Sequence, residues 1–296
     1  IEEVCKALVE EGQLFYEDGR WDRLSMDQIE IPQSVRVAIQ SRVKKLPEPV
    51  QETLRLAAII GREFDFDVLQ KAGEIDEDGL VNALEMAEKA QLIGGARRAG
   101  RESYAFAHAL IPATLRDNVS AARRYGLHRR AAAAIESLRP DDFESLAHHF
   151  GEAGEREKAI EYSRRAAKRA ESLFAYDTAS RLLRAAQDFV EADTQPDLRR
   201  ELLEQLADIF SFNHEGMKAI PLYQEATELW RAASDKITLV RLHRKIIEAV
   251  ERMFRLADIE SVESATRASV EAGLRLVEGE PPHAETVRLS TALSYE

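Results

Sequence analysis

His108 closes the alternating run SYAFAH and stands just before the apolar stretch ALIPATL. An imidazole there could donate a hydrogen bond, or carry positive charge near neutral pH, which suits contact with a phosphate. The same position suits a buried ring satisfied by a backbone carbonyl, and the residues alone leave both readings open. His148 and His149 are adjacent, so on a helix they project about 100° apart and do not form an i, i+4 chelating pair. One of the two is expected to pack and the other to face water, and no metal site is expected. The cluster Arg123, Arg124, His128, Arg129 and Arg130 is expected to meet an acidic surface of the same protein, or nucleotide phosphates.

Self-contained catalysis finds no support in the motifs. There is no G-x-x-x-x-G-K-[ST] phosphate loop, no H-E-x-x-H, no G-x-S-x-G and no paired C-x-x-C. GEAGEREKA has two glycines without the following Gly-Lys-Ser/Thr and reads as a turn between helices. The expectation is a non-catalytic chain with no cofactor of its own.

Composition narrows the class further. Of 296 residues, 45% are hydrophobic and 32% charged, with a net charge of −12. Residues 1–31 carry 3 basic and 9 acidic side chains, residues 32–140 carry 17 and 14, and residues 141–296 carry 21 and 30. Only the middle section is mildly basic, which argues against a nucleic-acid face. The single cysteine, Cys5, excludes an internal disulfide and fits a reducing compartment. No apolar run reaches the roughly 18 residues of a membrane span and no signal peptide is visible, so a cytoplasmic location is expected. IEEVCKALVEEG has the pattern of an amphipathic helix met in its middle, and TALSYE stops mid-pattern, so a segment of a longer protein is expected.

The elements that would position these residues are mainly helical. WDRLSMDQIEIP reads as a linker with an extended IEI before Pro32. PQSVRVAIQSRVKKL predicts a helix with Val35, Ile39, Val43 and Leu46 on one face, and VQETLRLAAIIG predicts a second. DFDVLQKAG offers Asp65 as an N-cap and Gly73 as a stop, and DEDGLVNALEMAEKAQ is a third helix on Leu80, Leu84 and Ala87. QLIGG, a polar turn ARRAGRE and SYAFAH predict a β-hairpin, with Tyr104 and Phe106 alternating against small residues. Three helices and a two-stranded wing describe a winged helix-turn-helix, followed by helices at 109–118 and 120–138.

Beyond Pro140 only helices are expected, and they repeat. Leu146, Ala147, Phe150, Ala159 and Ala166 set offsets that Ala167, Ala170, Ala179 and Ala186 reproduce. Leu206, Ala207, Phe210, Ala219 and Ala226 reproduce them again. Small residues at such spacing let paired helices approach closely, which is the logic of a tetratricopeptide-like superhelix. The fold class expected is therefore mainly α: a winged helix-turn-helix with a small β-hairpin, then a tetratricopeptide-like α-superhelix. The domains would be a helix and linker at 1–31, a winged-helix domain at 32–139 and repeats at 140–296. Trp230 and Phe254 are candidate protein-binding anchors, since aromatics are enriched at interface hot spots, while Tyr223 is expected in the core.

Taken in order, IPQSVRVAIQSRVKKLPEPVQETLRLAAIIGREFDFDVL, QLIGG, SYAFAHALI, RRYGLHRRAAAAIE and LAHHFGEAGEREKAIEYSRRAAKRA resemble the region after the nucleotide-binding module of bacterial STAND-type signalling ATPases. Some of those join an AAA-like module, a winged helix and tetratricopeptide-like repeats to cyclase, kinase or LuxR-type domains. The resemblance implies that residues 1–12 are the last helix of an ATPase lid, and that ATP or ADP binds upstream of this chain. It also implies that His108, with Arg123 and Arg124, senses nucleotide phosphates, although Ala109 stands where related switch proteins often have aspartate. Partners would be the ATPase domain and a protein or other effector on the repeats. Two further readings are a repeat scaffold with a purely structural winged helix, and a DNA-binding winged helix. The second is opposed by the acidic DEDGLVNALEMAEKAQ.

Overall fold

The computed structural model describes residues 14–17, 20–23, 33–98, 101–190, 195–231, 235–253, 259–278 and 283–293. These fall into two compact units, 1–154 and 155–296. The expected lid helix at 1–12, Cys5, the IEI run, Phe254 and Pro281-Pro282 lie outside the described residues.

The described part of the first unit opens with a hairpin that was not expected, its second strand running into the start of the stretch WDRLSMDQIEIP read as a linker. Strands β1 (Leu14–Glu17) and β2 (Arg20–Arg23) pair antiparallel, with Tyr16 opposite Trp21 and Glu17 opposite Arg20. The two residues between them in sequence are Asp18-Gly19, a pair that favours tight hairpin connections and that the sequence reading left unassigned.

Four helices and three short strands follow. Helix α1 (Gln33–Lys44) buries Ile39 and Val43, with Val35 and Leu46 half-buried at its edges. Helix α2 (Glu48–Ile60) begins at Pro47 and Pro49, where a missing N–H costs nothing, and buries Val50, Leu54, Ala57 and Ala58. Helix α3 (Phe66–Gly73) ends as expected at Gly73, with Glu74 taking the left-handed conformation beyond it. Asp65 stands at the N-cap of α3 but makes no capping bond; Arg139 draws its carboxylate away at 3.2 Å and holds Asp67 at 2.7 Å. Helix α4 (Glu77–Lys89) is capped by Asp76, whose carboxylate accepts from the Gly79 amide at 2.7 Å, and it buries Leu80, Leu84 and Ala87.

The expected hairpin is present, and longer than its polar turn suggested. β4 (Ile93–Arg98) and β5 (Arg101–Phe106) pair from Ile93 opposite Phe106 to Arg98 opposite Arg101. Most of ARRAGRE is therefore strand. A third strand, β3 (Glu63–Asp65), adds to the other edge of β5. Three residues are too few to display an alternation, but Phe64 sets the pairing by packing its ring on Tyr104 and Phe106, at centroid distances of 6.0 and 5.6 Å.

Helices α5 (Leu110–Asp117), α6 (Ala121–Leu138) and α7 (Phe143–Glu152) complete the unit. Ser120 and Asp142 cap α6 and α7 through the amides of Arg123 and Ser145. Helix α6 packs on α2, α3 and α7, so by contacts α7 stays with this unit, although the sequence boundary had been drawn at 139/140.

The second unit is helical throughout its described residues: α8 (Arg156–Ser172), α9 (Tyr176–Asp188), α10 (Pro196–Phe212), α11 (Gly216–Arg231), α12 (Lys236–Met253), α13 (Ile259–Val277) and α14 (Ala284–Leu293). Each of α8 to α12 packs on the next, and α14 returns against α12. Every residue of the three alanine-rich frames is buried, with Ala159, Ala179, Ala186, Ala207, Ala219 and Ala226 at 0% exposure. The turns repeat as well. Gly154, Phe174 and His214 each lie two residues past a helix end with φ of 71°, 58° and 59°, and each next helix begins two residues later. A left-handed residue at this point satisfies the last carbonyls of the helix.

Candidate functional site

His108 lies between β5 and α5 with its ring exposed, and its carbonyl accepts from the Ile111 amide at 3.1 Å. The reading of His108 as a core histidine is thereby corrected: the strand ends at Phe106, whose 2%-exposed ring takes the core position, and the chain has turned outward two residues later.

The basic cluster divides. Arg123 is paired with the Glu52 carboxylate at 2.5 Å, and Arg130 donates to the Ala72 carbonyl at 2.6 Å near the end of α3. Arg123 and Arg130 also line an open cleft of about 490 Å³, together with Glu52, Arg55 and Asp76. Arg124 is exposed, and its charge acts on His128. His128 is not part of a basic surface at all; it is 4% exposed and points into the α6–α7 contact.

There it meets the pair read as unable to chelate. His149 is 2% exposed and His148 is exposed, as one packed and one solvated ring would be. The Nδ1 atoms of His128 and His149 lie 3.0 Å apart, and the three ring centroids are separated by 5.1, 5.2 and 5.6 Å. Burial, reinforced by the neighbouring imidazoles, lowers the His128 pKa to about 4 and that of His149 to about 3, so both rings are neutral at neutral pH. Spacing along α7 relates only the two neighbours on one helix, whereas α6 supplies a third ring from the facing side.

In the second unit Trp230 is half-buried, with the Arg200 guanidinium 4.4 Å from its ring centre, while Arg200 also donates to the Leu229 carbonyl. Tyr223 is core, as expected, at 1% exposure. The most exposed aromatic on the described hairpins is one that sequence reasoning passed over: Phe174, 76% exposed, beside Leu173 at 70%. The signal was available, because a large apolar pair occupies a helix turn where glycine would be expected. Arg164, Arg165, Lys168, Gln205 and Asp208 line a cleft of about 420 Å³ between α8 and α10.

No protein-family model matches the chain. It is 29% identical over 205 residues to an uncharacterised protein of Rhizobium meliloti (strain 1021), an alignment that covers 65% of this chain and 20% of the relative. In structure it aligns with a Signal Transduction ATPase with Numerous Domains (STAND) protein with a tetratricopeptide repeat sensor from Pyrococcus horikoshii. That alignment covers 91% of this chain and 43% of the other, at 12% identity and a TM-score of 0.35. The chain thus spans a fifth of the length of the curated relative and less than half of the solved one. No helix among the described residues is long and apolar enough to cross a membrane.

Proposed function

We propose that this chain is a non-catalytic regulatory and protein-interaction segment of a multidomain signal-transduction ATPase or transcriptional regulator of the STAND type. Partner or effector binding on the helical hairpins is coupled to the ATP or ADP state of a module elsewhere in the same protein. The observation that carries this reading is the run of consecutively packed helices with alanines at their contacts, which presents an extended surface suited to recognition. The exposed Leu173-Phe174 turn offers apolar contact on that surface. The exposure of His108 supports its availability to a nucleotide phosphate.

The test is nucleotide exchange in the longer protein that carries this segment. His108→Ala is expected to speed ADP release or raise basal output, and an unchanged release rate overturns the sensing role.

A second reading, in which the first unit is only a structural adaptor for the hairpins, draws support from Arg123, whose charge is already engaged by Glu52. DNA binding draws none from α4, whose exposed side carries Glu77, Asp78, Glu85 and Glu88 against Lys89 alone. Such a face is repelled by phosphates.

A further inference from the structure

Three imidazoles gathered within reach of one another are a metal-ligand set, and only the α6–α7 contact brings such a group together among the described residues. One ligand nitrogen from each of His128, His148 and His149 lies within 4.8 Å of the others. Imidazoles on a single tetrahedral zinc, with Zn–N near 2.0–2.1 Å, hold their nitrogens about 3.3–3.4 Å apart and their ring centres about 5 Å apart. The observed centroid triangle of 5.1, 5.2 and 5.6 Å already has that size. The buried pair, at 3.0 Å, has to open by only a few tenths of an ångström. His148 is exposed and can swing its nitrogen inward by rotamer change.

The surroundings suit ligation. Two Nδ1 atoms facing each other share one proton at most, so at least one presents a lone pair. The His149 ring also hydrogen-bonds to the Ile60 backbone, the outer contact that fixes the tautomer and orientation of a metal-bound imidazole. Around His128, Glu152 contributes one negative charge and Arg116 and Arg124 contribute positive ones. The donor type, not this charge balance, sets the preference: imidazole nitrogens favour a borderline d-block dication over Mg²⁺ or Ca²⁺, which require oxygen ligands.

We propose that His128, His148 and His149 form a three-histidine site for a divalent transition metal of the zinc, cobalt and nickel class, clasping α6 to α7 with its fourth position open to solvent. The inference is independent of any role for His108 in nucleotide sensing. Neither adjacency on α7 nor burial on α6 makes the site alone; it arises from one helix face meeting the other.

The test is titration of the untagged chain with Co²⁺ at neutral pH, followed by visible absorption and by competition with Zn²⁺. The expected result is one equivalent bound, with the intense visible bands of tetrahedral cobalt, displaced by Zn²⁺. His148→Ala, an exposed position whose loss leaves the packed pair intact, is expected to weaken binding by about tenfold or more. His214→Ala, at an exposed histidine on another helix turn, is expected to leave it unchanged. No one-to-one binding by the wild-type chain, or equal affinity in His148→Ala, overturns the proposal. Circular dichroism of His148→Ala checks that a loss of binding is not a loss of fold.

Discussion

Tyr223 donates its phenolic hydrogen to Asp208 at 2.6 Å, across the α10–α11 pair, while Lys245 reaches the same carboxylate from α12 at 2.7 Å. Lys245 also bonds Glu204, which pairs in turn with Arg241 at 3.0 Å. Three helices thus share one polar network beside an apolar core. Burial first, and then the Asp208 charge, push the Tyr223 pKa far above its ordinary value, so the hydroxyl remains a donor at any working pH. Tyr223→Phe is expected to cost about 1.5 kcal/mol in urea denaturation, as for a hydrogen bond to a charged group. A double-mutant cycle with Lys245→Met is expected to show coupling, because both residues hold one carboxylate. Additive losses would show that the hydroxyl and the ammonium act separately.

The left-handed turns make opposite predictions at two equivalent positions. Gly154→Ala places a side chain at φ 71° and is expected to destabilise by roughly 1–2 kcal/mol. Its Cβ would meet the Tyr125 ring at 3.6 Å, an ordinary contact, so the cost is conformational. Phe174→Gly, at φ 58° and with an exposed ring, is expected to stabilise by up to about 1 kcal/mol. Thermal denaturation of both variants checks the two signs; a stabilising Gly154→Ala would refute the shared turn geometry.

Close helix approach is testable at Ala219, which is fully buried on α11, a helix that packs on α10 and α12. Ala219→Leu forces the helices apart and is expected to cost about 1–3 kcal/mol. Gln224→Leu, exposed on the same helix, is expected to stay within about 0.5 kcal/mol of wild type. Equal effects at the two sites would mean that α11 is not held by its alanines.

His243, 7% exposed on α12, has its pKa lowered first by burial and then by the Arg231 charge, with Glu228 acting the other way. The native chain keeps this ring neutral below pH 6.5, where the unfolded chain takes up a proton. Its contribution is therefore complete above pH 6.5 and is lost as pH falls toward the lowered native value. Stability is expected to drop between about pH 7.5 and about 5.5, and His243→Phe to shrink that drop. Chemical denaturation at the two pH values measures the difference, and an unchanged gap would mean that His243 is protonated within the fold.

Much of the architecture was legible because helices announce themselves over several turns. Leu80, Leu84 and Ala87 recur at helical spacing and all three are buried; the alanine frames on α7 to α11 carry the same periodic signal. Short elements escaped. β3 has three residues, and its partner β5 lies 40 positions along the chain, so no local pattern reveals Phe64 stacking on Tyr104. β1 and β2 were missed for another reason: the Asp18-Gly19 signal was present in the sequence but was not read as a turn.

What the sequence determined by itself is what depends on neighbours along one chain: helix positions, the stop at Gly73, the hairpin at 93–106, and the small residues where helices touch. The tertiary structure decided what depends on which face meets which. It turned His108 outward, engaged Arg123 with Glu52, set Arg200 over Trp230, and brought His128 from α6 against His148 and His149 from α7. Adjacent histidines diverge on their own helix, and no periodicity along that helix can supply a third ring. Only the packing of a second helix across a few ångströms of shared core does so.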